Sequence, residues 1–393
     1  MKVAVIGAGQ AGIEAAVAAR KAGATAVTVF SREAFLPYVR SRLPEIAFGS
    51  GDVASIAIHP REWYEQAGIM LRLDTPVTNI EVSDMLVIKT PDGDEMVDSL
   101  VFANGAGALK PVIPGLLASS AVYTLWSADD AKRLSSHIRR VRSIAILGGG
   151  VLGVESAIRA RKAGLKVHLI EKQSRLMHLQ LDASPSAVVR AHLEELGVKV
   201  YTDTSLESAS QVASKVCLRL SGMPKTLDVD IVLLSVGSRP NIALAQSVGL
   251  TCDRGIHVDE TLQTTCPQIY AAGDCVQYGL QTRNSTAAAV MQGRIAGYNA
   301  VIATTNGQFM TCPSDEIPLH LKAVDLEIHS WGQTAESCMG AKIKRLDNGK
   351  TPGVVKLKVV RSDKVVVGVQ MVGTSVGFDE LVAQPPLEGK NRK

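Results

Sequence analysis

The chain has 393 residues, 46% of them apolar, which is enough for two or three domains with substantial buried cores. Aromatic residues make up only 4%, which argues against base-stacking or sugar-binding platforms, and a net charge of +4 over 42 basic and 38 acidic side chains gives no global pull on nucleic acid. No segment approaches an uncharged membrane span, and the six cysteines show neither C-x-x-C nor zinc-ligand spacing, so free thiols in a reducing, cytoplasmic setting and no metal are expected.

The chain opens on the apolar run Val3-Ala4-Val5-Ile6, which predicts a buried strand. Gly7-Ala8-Gly9-Gln10-Ala11-Gly12 follows it and leads into an Ala-rich helix. Strand, glycine turn and helix in that order form the fingerprint of a dinucleotide site. The first glycine makes the turn, the second lets backbone approach a pyrophosphate and the third lets the helix pack on its strand. The helix N-terminus, with its free amides and dipole, holds the anion. Ala26 to Phe30 is the next strand, and Glu33, just beyond it beside Arg32, is the candidate ribose acid. Thr75 to Ile80 then reads as a strand entry. Val87 to Thr90 and Glu95 to Val97 read as a hairpin around Pro91-Asp92-Gly93-Asp94. Leu100 to Ala103 is another buried strand, ended by Asn104-Gly105-Ala106-Gly107, with Pro111 and Pro114-Gly115 at the exit.

The basic run Lys132 to Arg142 reads as a solvated helix and linker. After it the pattern repeats. Ile144 to Leu147 precede Gly148-Gly149-Gly150-Val151-Leu152-Gly153, and Lys166 to Ile170 form the next strand with Glu171 at its end. A carboxylate there accepts from the adenosine ribose hydroxyls and repels a 2′-phosphate, which favours NADH over NADPH; Lys172 and Arg175 temper that preference. A helix from Ser186 to Leu196 and a buried strand from Ile231 to Ser235 follow, the latter ending in Val236-Gly237-Ser238-Arg239-Pro240-Asn241. The internal repeat is therefore domain-sized. Two fingerprints suggest two nucleotides held together, as hydride transfer between nicotinamide and flavin requires.

A third block holds Gln268 to Asp274, including Gly273-Asp274, and a helix from about Ser285 through Tyr298. Val354 to Val360 and Lys364 to Val372 give the remainder a small α+β character, and Gln384 to Lys393 reads as a polar tail. The expected fold class is α/β: two Rossmann-like dinucleotide-binding domains plus a small α+β C-terminal domain. The boundaries fall at residues 1–110 with 244–306, 111–243 and 307–393.

These landmarks, in this order, resemble the FAD-dependent pyridine nucleotide–disulfide oxidoreductase superfamily. Leu36-Pro37-Tyr38-Val39-Arg40-Ser41-Arg42-Leu43-Pro44-Glu45 looks like a segment of its NADH:rubredoxin reductase branch. His59 to Tyr64, Arg175-Leu176-Met177 and Gln180-Leu181-Asp182 add to the likeness. The resemblance implies that residues 1–110 with 244–306 bind FAD and that 111–243 bind NADH. It implies that Asp274 bonds the ribityl chain or nearby phosphates, and that Arg40 and Arg42 contact the FAD phosphates or the flavin face. Val77 would read adenine through its backbone, and Glu155 would stand near the nicotinamide, its alternative being a surface helix carboxylate. Ala103-Asn104-Gly105 matches a family Ala-Thr-Gly, so Asn104 is a departure, as is Thr286 where many relatives carry Trp.

The same resemblance implies electron transfer from NADH through FAD to a protein carrier, with rubredoxin as the expected partner, and a homodimer as the assembly to test. The segment Arg40 to Gly51 contains no Cys, so the thiol relay of the disulfide reductases is not expected. Cys275, beside Asp274, reads as a small buried residue. Direct hydride transfer obliges no general acid or base, so no catalytic residue is expected. Two alternatives stay open: an NADH oxidase or diaphorase using oxygen or quinones, and a redox sensor that binds FAD and NADH without turnover.

Overall fold

A computed structural model describes residues 1–278, 285–303, 307–313, 318–323, 325–347, 349 and 351–383. The tail expected from Gln384 lies outside the described residues. The chain divides into two compact units. The first is Met1–Leu43, Gly51–Gly107 and Ser238–Asp315; the second is Pro44–Ser50, Ala108–Gly237 and Glu316–Lys393. The division expected from sequence is finer, since it sets 307–393 apart.

Each unit is built on a five-stranded parallel sheet. In the first the order is Ile269–Ala271, Ser99–Phe102, Lys2–Ile6, Ala26–Phe30 and Ile69–Arg72. In the second it is Lys199–Tyr201, Lys166–Ile170, Ser143–Leu147, Ile231–Leu234 and Val122–Thr124. The central strands read as unbroken apolar runs because helices or a second sheet cover both faces. In both units the fingerprint strand lies where the strand order reverses, the crevice in which open α/β sheets bind ligands. A three-stranded antiparallel sheet accompanies each: Asn79–Val82, Leu86–Thr90 and Gly93–Val97 in the first, Leu206–Val212, Lys215–Leu220 and Leu227–Val229 in the second.

The C-terminal part is a five-stranded antiparallel sheet in the order Leu319–Ala323, Leu326–Gly332, Val366–Val372, Val355–Val360 and Lys342–Arg345, with the helix Phe378–Val382. Val355, Leu357 and Val359 alternate inward and pack with Val188 of the helix Ala183–Glu195.

Several boundaries differ from the sequence expectation for physical reasons. The strand expected from Thr75 starts at Asn79. Thr75 instead donates its amide to Ser31 O (2.7 Å) and its hydroxyl to Leu73 O (3.0 Å), and Pro76 has no amide to give. The helix expected from Ser186 begins at Ala183, with Asp182 in extended backbone before it. Pro185 is tolerated because first-turn amides have no intrahelical partner. The helix expected to end at Tyr298 runs Thr286–Ile302, capped by the Ser285 side chain, which accepts from the Ala288 amide.

Candidate functional site

The two fingerprints have the same geometry down to their hydrogen bonds. Gly7 N donates to Phe30 O and Gly148 N to Ile170 O, both at 2.8 Å. Gly7 and Gly148 both have φ near +105° (108° and 103°), a conformation that admits glycine and little else. A Cβ on Gly7 would stand 2.2 Å from Ala103 O, and one on Gly148 would stand 2.2 Å from Ser235 O. A Cβ on Gly12 or on Gly153 would meet the carbonyl of the first glycine of its own turn at 1.9 Å. Gly9 and Gly150 have nothing within 4 Å of that position. So the outer glycines pack against backbone while the middle one faces open space. That is the division of labour a pyrophosphate site needs.

Gly9 and Gly150 precede the helices Gln10–Lys21 and Val151–Lys162 in extended backbone, and neither helix has a side-chain cap. The amides of the first turn, at Gln10, Ala11 and Gly12 and at their counterparts, are therefore presented to an anion. The symmetry extends to the neighbouring strand. Ala103 N bonds to Ile6 O and Ser235 N to Leu147 O, both at 2.8 Å, so Asn104-Gly105 and Val236-Gly237 are equivalent. Gly105 and Gly237 both take positive φ there (60° and 107°).

In the first unit, Asn104, where the resemblance leads one to expect Thr, is engaged through its side chain and its carbonyl. Its Nδ2 donates to Asn241 O (2.9 Å), and Asn241 Nδ2 donates back to Asn104 O (2.8 Å). This reciprocal amide pair fixes the loop, and it leaves the buried Asn104 Oδ1 without a partner among the described residues. Gly273 packs within 2.9 Å of Ala11 at its would-be Cβ and donates its amide to the buried Gln292 Oε1 (2.8 Å). Beside it, the half-buried Asp274 receives no hydrogen bond from the described residues, and burial pushes its carboxyl up to about 6 despite the pull of Arg40. These two acceptors, at Asn104 and Asp274, receive no hydrogen bond from the described residues and fit hydroxyl donors of a bound cofactor.

Arg40 also bonds Glu33 Oε1 (3.1 Å), while the Tyr38 hydroxyl donates to Glu33 Oε2 (2.7 Å). Glu33 is thus oriented from both sides. Arg42 is exposed and reaches Ser55 O at 3.4 Å. Val77 packs against the core that holds Ile80, Leu86 and Ile88.

In the second unit Glu171 is buried and grips the fingerprint itself: Gly149 N donates to Oε2 (2.6 Å) and Gln173 N to Oε1 (2.7 Å). Each carboxylate oxygen keeps a lone pair for a ribose hydroxyl. Arg175 is committed elsewhere, donating to Leu181 O (2.9 Å), His178 O (3.3 Å) and the Glu336 carboxylate, whereas Lys172 is exposed. The surface reading of Glu155 is corrected: the side chain is buried, because its helix turns this face inward. Burial raises its pKa, and Arg159, donating from Nε at 2.9 Å, counters the rise, while Arg159 Nη2 donates to Glu45 Oε1 at 3.4 Å. Sequence reading missed Arg159, although an i, i+4 spacing from Glu155 was there to find it. It also missed Tyr38 and Gln292, whose partners are set by folding. Among the described residues no group of His, Cys, Asp and Glu could hold a metal ion, and no helix is long and apolar enough to cross a membrane.

Residues 1–293 match the sequence pattern described as pyridine nucleotide-disulphide oxidoreductase. A rubredoxin-NAD(+) reductase of Ectopseudomonas oleovorans is 33% identical over 281 residues, covering 70% of this chain and 72% of the relative. Among solved structures, a NAD-dependent persulfide reductase from A. fulgidus superposes with a TM-score of 0.86 at 26% identity, over 97% of this chain and 76% of that one. An NADH:rubredoxin oxidoreductase from Clostridium acetobutylicum gives 0.77 at 23%, over 99% and 97%, a likeness of fold. The chain therefore belongs to the pyridine nucleotide-disulphide oxidoreductase family and is an oxidoreductase that uses FAD and NADH.

Proposed function

We propose that the protein takes hydride from NADH and passes the electrons through FAD to a small carrier protein, rubredoxin. The observation that carries the reading is the doubled anion cradle, with its open middle glycines Gly9 and Gly150. The kinship with a rubredoxin-NAD(+) reductase supports the choice of acceptor. FAD, when bound, supplies a ring that accepts a hydride as a pair and can return electrons singly.

The chain binds and orients. Gly7, Gly9, Gln10, Ala11 and Gly12 hold one pyrophosphate, with Glu33 for its ribose, Val77 for adenine and Asp274 for a ribityl or ribose hydroxyl. Arg40 and Arg42 supply positive charge to the phosphates or the ring, while Ala103, Asn104, Gly105 and Gly273 close the turn around it. Gly148, Gly150, Gly153 and Gly237 form the second cradle, Glu171 accepts from the ribose of NADH and Glu155 lines the nicotinamide end. The three-domain division, a cytoplasmic location and a homodimer belong to this proposal on family likeness.

The test is anaerobic. NADH should bleach the bound flavin, and oxidised rubredoxin should restore its colour faster than oxygen or a quinone at equal concentration. Restoration by oxygen or quinone alone would make the protein an oxidase or diaphorase. A reduced flavin that no acceptor reoxidises would make it a sensor.

A further inference from the structure

The C-terminal sheet packs on the helix Ala183–Glu195 and also makes a set of hydrogen bonds to the loop that follows Glu171. At its near end that loop touches the fingerprint: Met177 N donates to Gly149 O (2.8 Å), and Leu176 Cδ2 lies 2.5 Å from where a Cβ on Gly149 would be. At its far end it is held by the sheet. Ser330 Oγ donates to Gln180 O (2.7 Å), and Ala335 N reaches both carboxylate oxygens of Asp182 (3.0 and 3.1 Å). Gln370 Nε2 donates to Asp182 Oδ2 (2.8 Å), and Asp182 N donates back to Gln370 Oε1 (2.7 Å). Asp182 and Gln370 are buried, so this pair exchanges no bonds with water and its geometry is fixed. Midway along the loop, Arg175 joins Glu336 while bonding the loop's own carbonyls.

Nothing in this arrangement is required to close the parallel sheet, whose five strands lie between Val122 and Leu234. What it does determine is where the segment between Glu171 and Asp182 stands. Glu171 receives the Gln173 amide at the start of that segment and the Gly149 amide that the same segment covers. We infer that the C-terminal sheet is a brace for the nucleotide site: Ser330, Glu336 and Gln370 are positioning residues that act through residues 172–182 to hold Glu171 and Gly149 in the geometry that receives the adenosine ribose. The inference rests on the proposed ribose role of Glu171.

The experiment uses the FAD-loaded full chain with Ser330→Ala, Glu336→Gln and Gln370→Leu. Binding of ADP-ribose, which carries the ribose but no nicotinamide, is measured by calorimetry, alongside KM and kcat for NADH, flavin content and amide exchange of residues 172–182. The brace predicts that the ADP-ribose Kd and the KM for NADH rise together, by up to about tenfold when Gln370→Leu removes both of its hydrogen bonds to Asp182 and less for the exposed Glu336. It also predicts faster exchange at Met177, with kcat at saturating NADH and flavin content unchanged. Should Gln370→Leu fail to fold, Ser330→Ala, which removes a single bond, decides alone. Unchanged Kd and loop exchange, with only a lower Tm, would overturn the brace and leave the sheet a purely stabilising element. If instead Glu171→Ala leaves ADP-ribose binding by the unbraced and braced proteins alike, the ribose assignment itself has failed.

Discussion

A half-buried carboxyl that receives no hydrogen bond from the described residues, as at Asp274, is costly to ionise, and a cofactor hydroxyl would relieve that cost. Asp274→Ala should therefore weaken FAD retention by about 1.5–3 kcal/mol, the worth of a charge-assisted bond, read as flavin lost on dilution. Full retention at low protein concentration would remove Asp274 from the site. The flavin-free protein offers a second check. The native pKa of about 6 lies above the ordinary 3.8, so the folded state holds the proton more tightly. The stability this group contributes is complete below the ordinary value and drains as pH rises through the native one. Asp274→Asn should flatten that decline in denaturant titrations, and an unaltered slope would contradict it. At Glu171 the expectation concerns preference: Glu171→Ala should narrow the NADH-to-NADPH ratio of kcat/KM, mainly by worsening NADH. Equal use of both cofactors by the unmodified protein would refute the ribose role. Arg175 weighs little on this test, because its Nε and Nη2 are already engaged with Leu181, His178 and Glu336.

The helices Gln10–Lys21 and Thr286–Ile302 approach backbone to backbone. A Cβ on Gly293 would stand 2.2 Å from Ala11 O, and one on Gly297 would stand 2.0 Å from Ala15 O. Replacing a helical glycine by alanine ordinarily gains about 1 kcal/mol of propensity. Here a main-chain carbonyl is the obstacle and cannot rotate away, so the overpacking cost, about 1–3 kcal/mol or more, should win. Gly297→Ala should lower Tm and flavin content together; a Tm at or above that of the parent would mean the helices can part. Elements of this kind show why legibility in the sequence is uneven. Ala26–Phe30 and Lys166–Ile170 are read to the residue, because a buried parallel strand is an apolar run bounded by polar residues. The fingerprint glycines are legible for a similar reason, since each obeys a local steric rule. Gln292 capping Gly273, the Asn104–Asn241 exchange and the Asp182–Gln370 pair are not, because their partners are 19, 137 and 188 residues apart. Glu155 could not be assigned a surface or a buried face from spacing alone.

At the scale of the whole molecule, no disulfide joins any of the six cysteines among the described residues, and Cys275, nearest in sequence to the flavin motif, is buried with its thiol pushed up to about 12. A thiol so far from ionising is a poor nucleophile. A variant lacking all six should keep NADH-dependent reduction of rubredoxin or of an artificial one-electron acceptor, normalised to bound flavin. Abolished transfer in a folded, FAD-loaded variant would assign the protein to the thiol-dependent branch. The order of the strands also bears on how the protein is made. The sheet of the second unit is complete once Leu234 has been synthesised, but that of the first needs Ile269–Ala271 at its edge and Thr286–Ile302 as cover. At typical elongation rates the opening strands wait roughly 15 to 50 seconds for those partners, with apolar runs such as Val3 to Ile6 exposed meanwhile. Nascent chains halted shortly after Gly237 should yield a protease-resistant core from residues 108–237 and none from residues 1–107. The apolar strands of the first unit are thus the surface a chaperone would meet first, long before they form a nucleotide site.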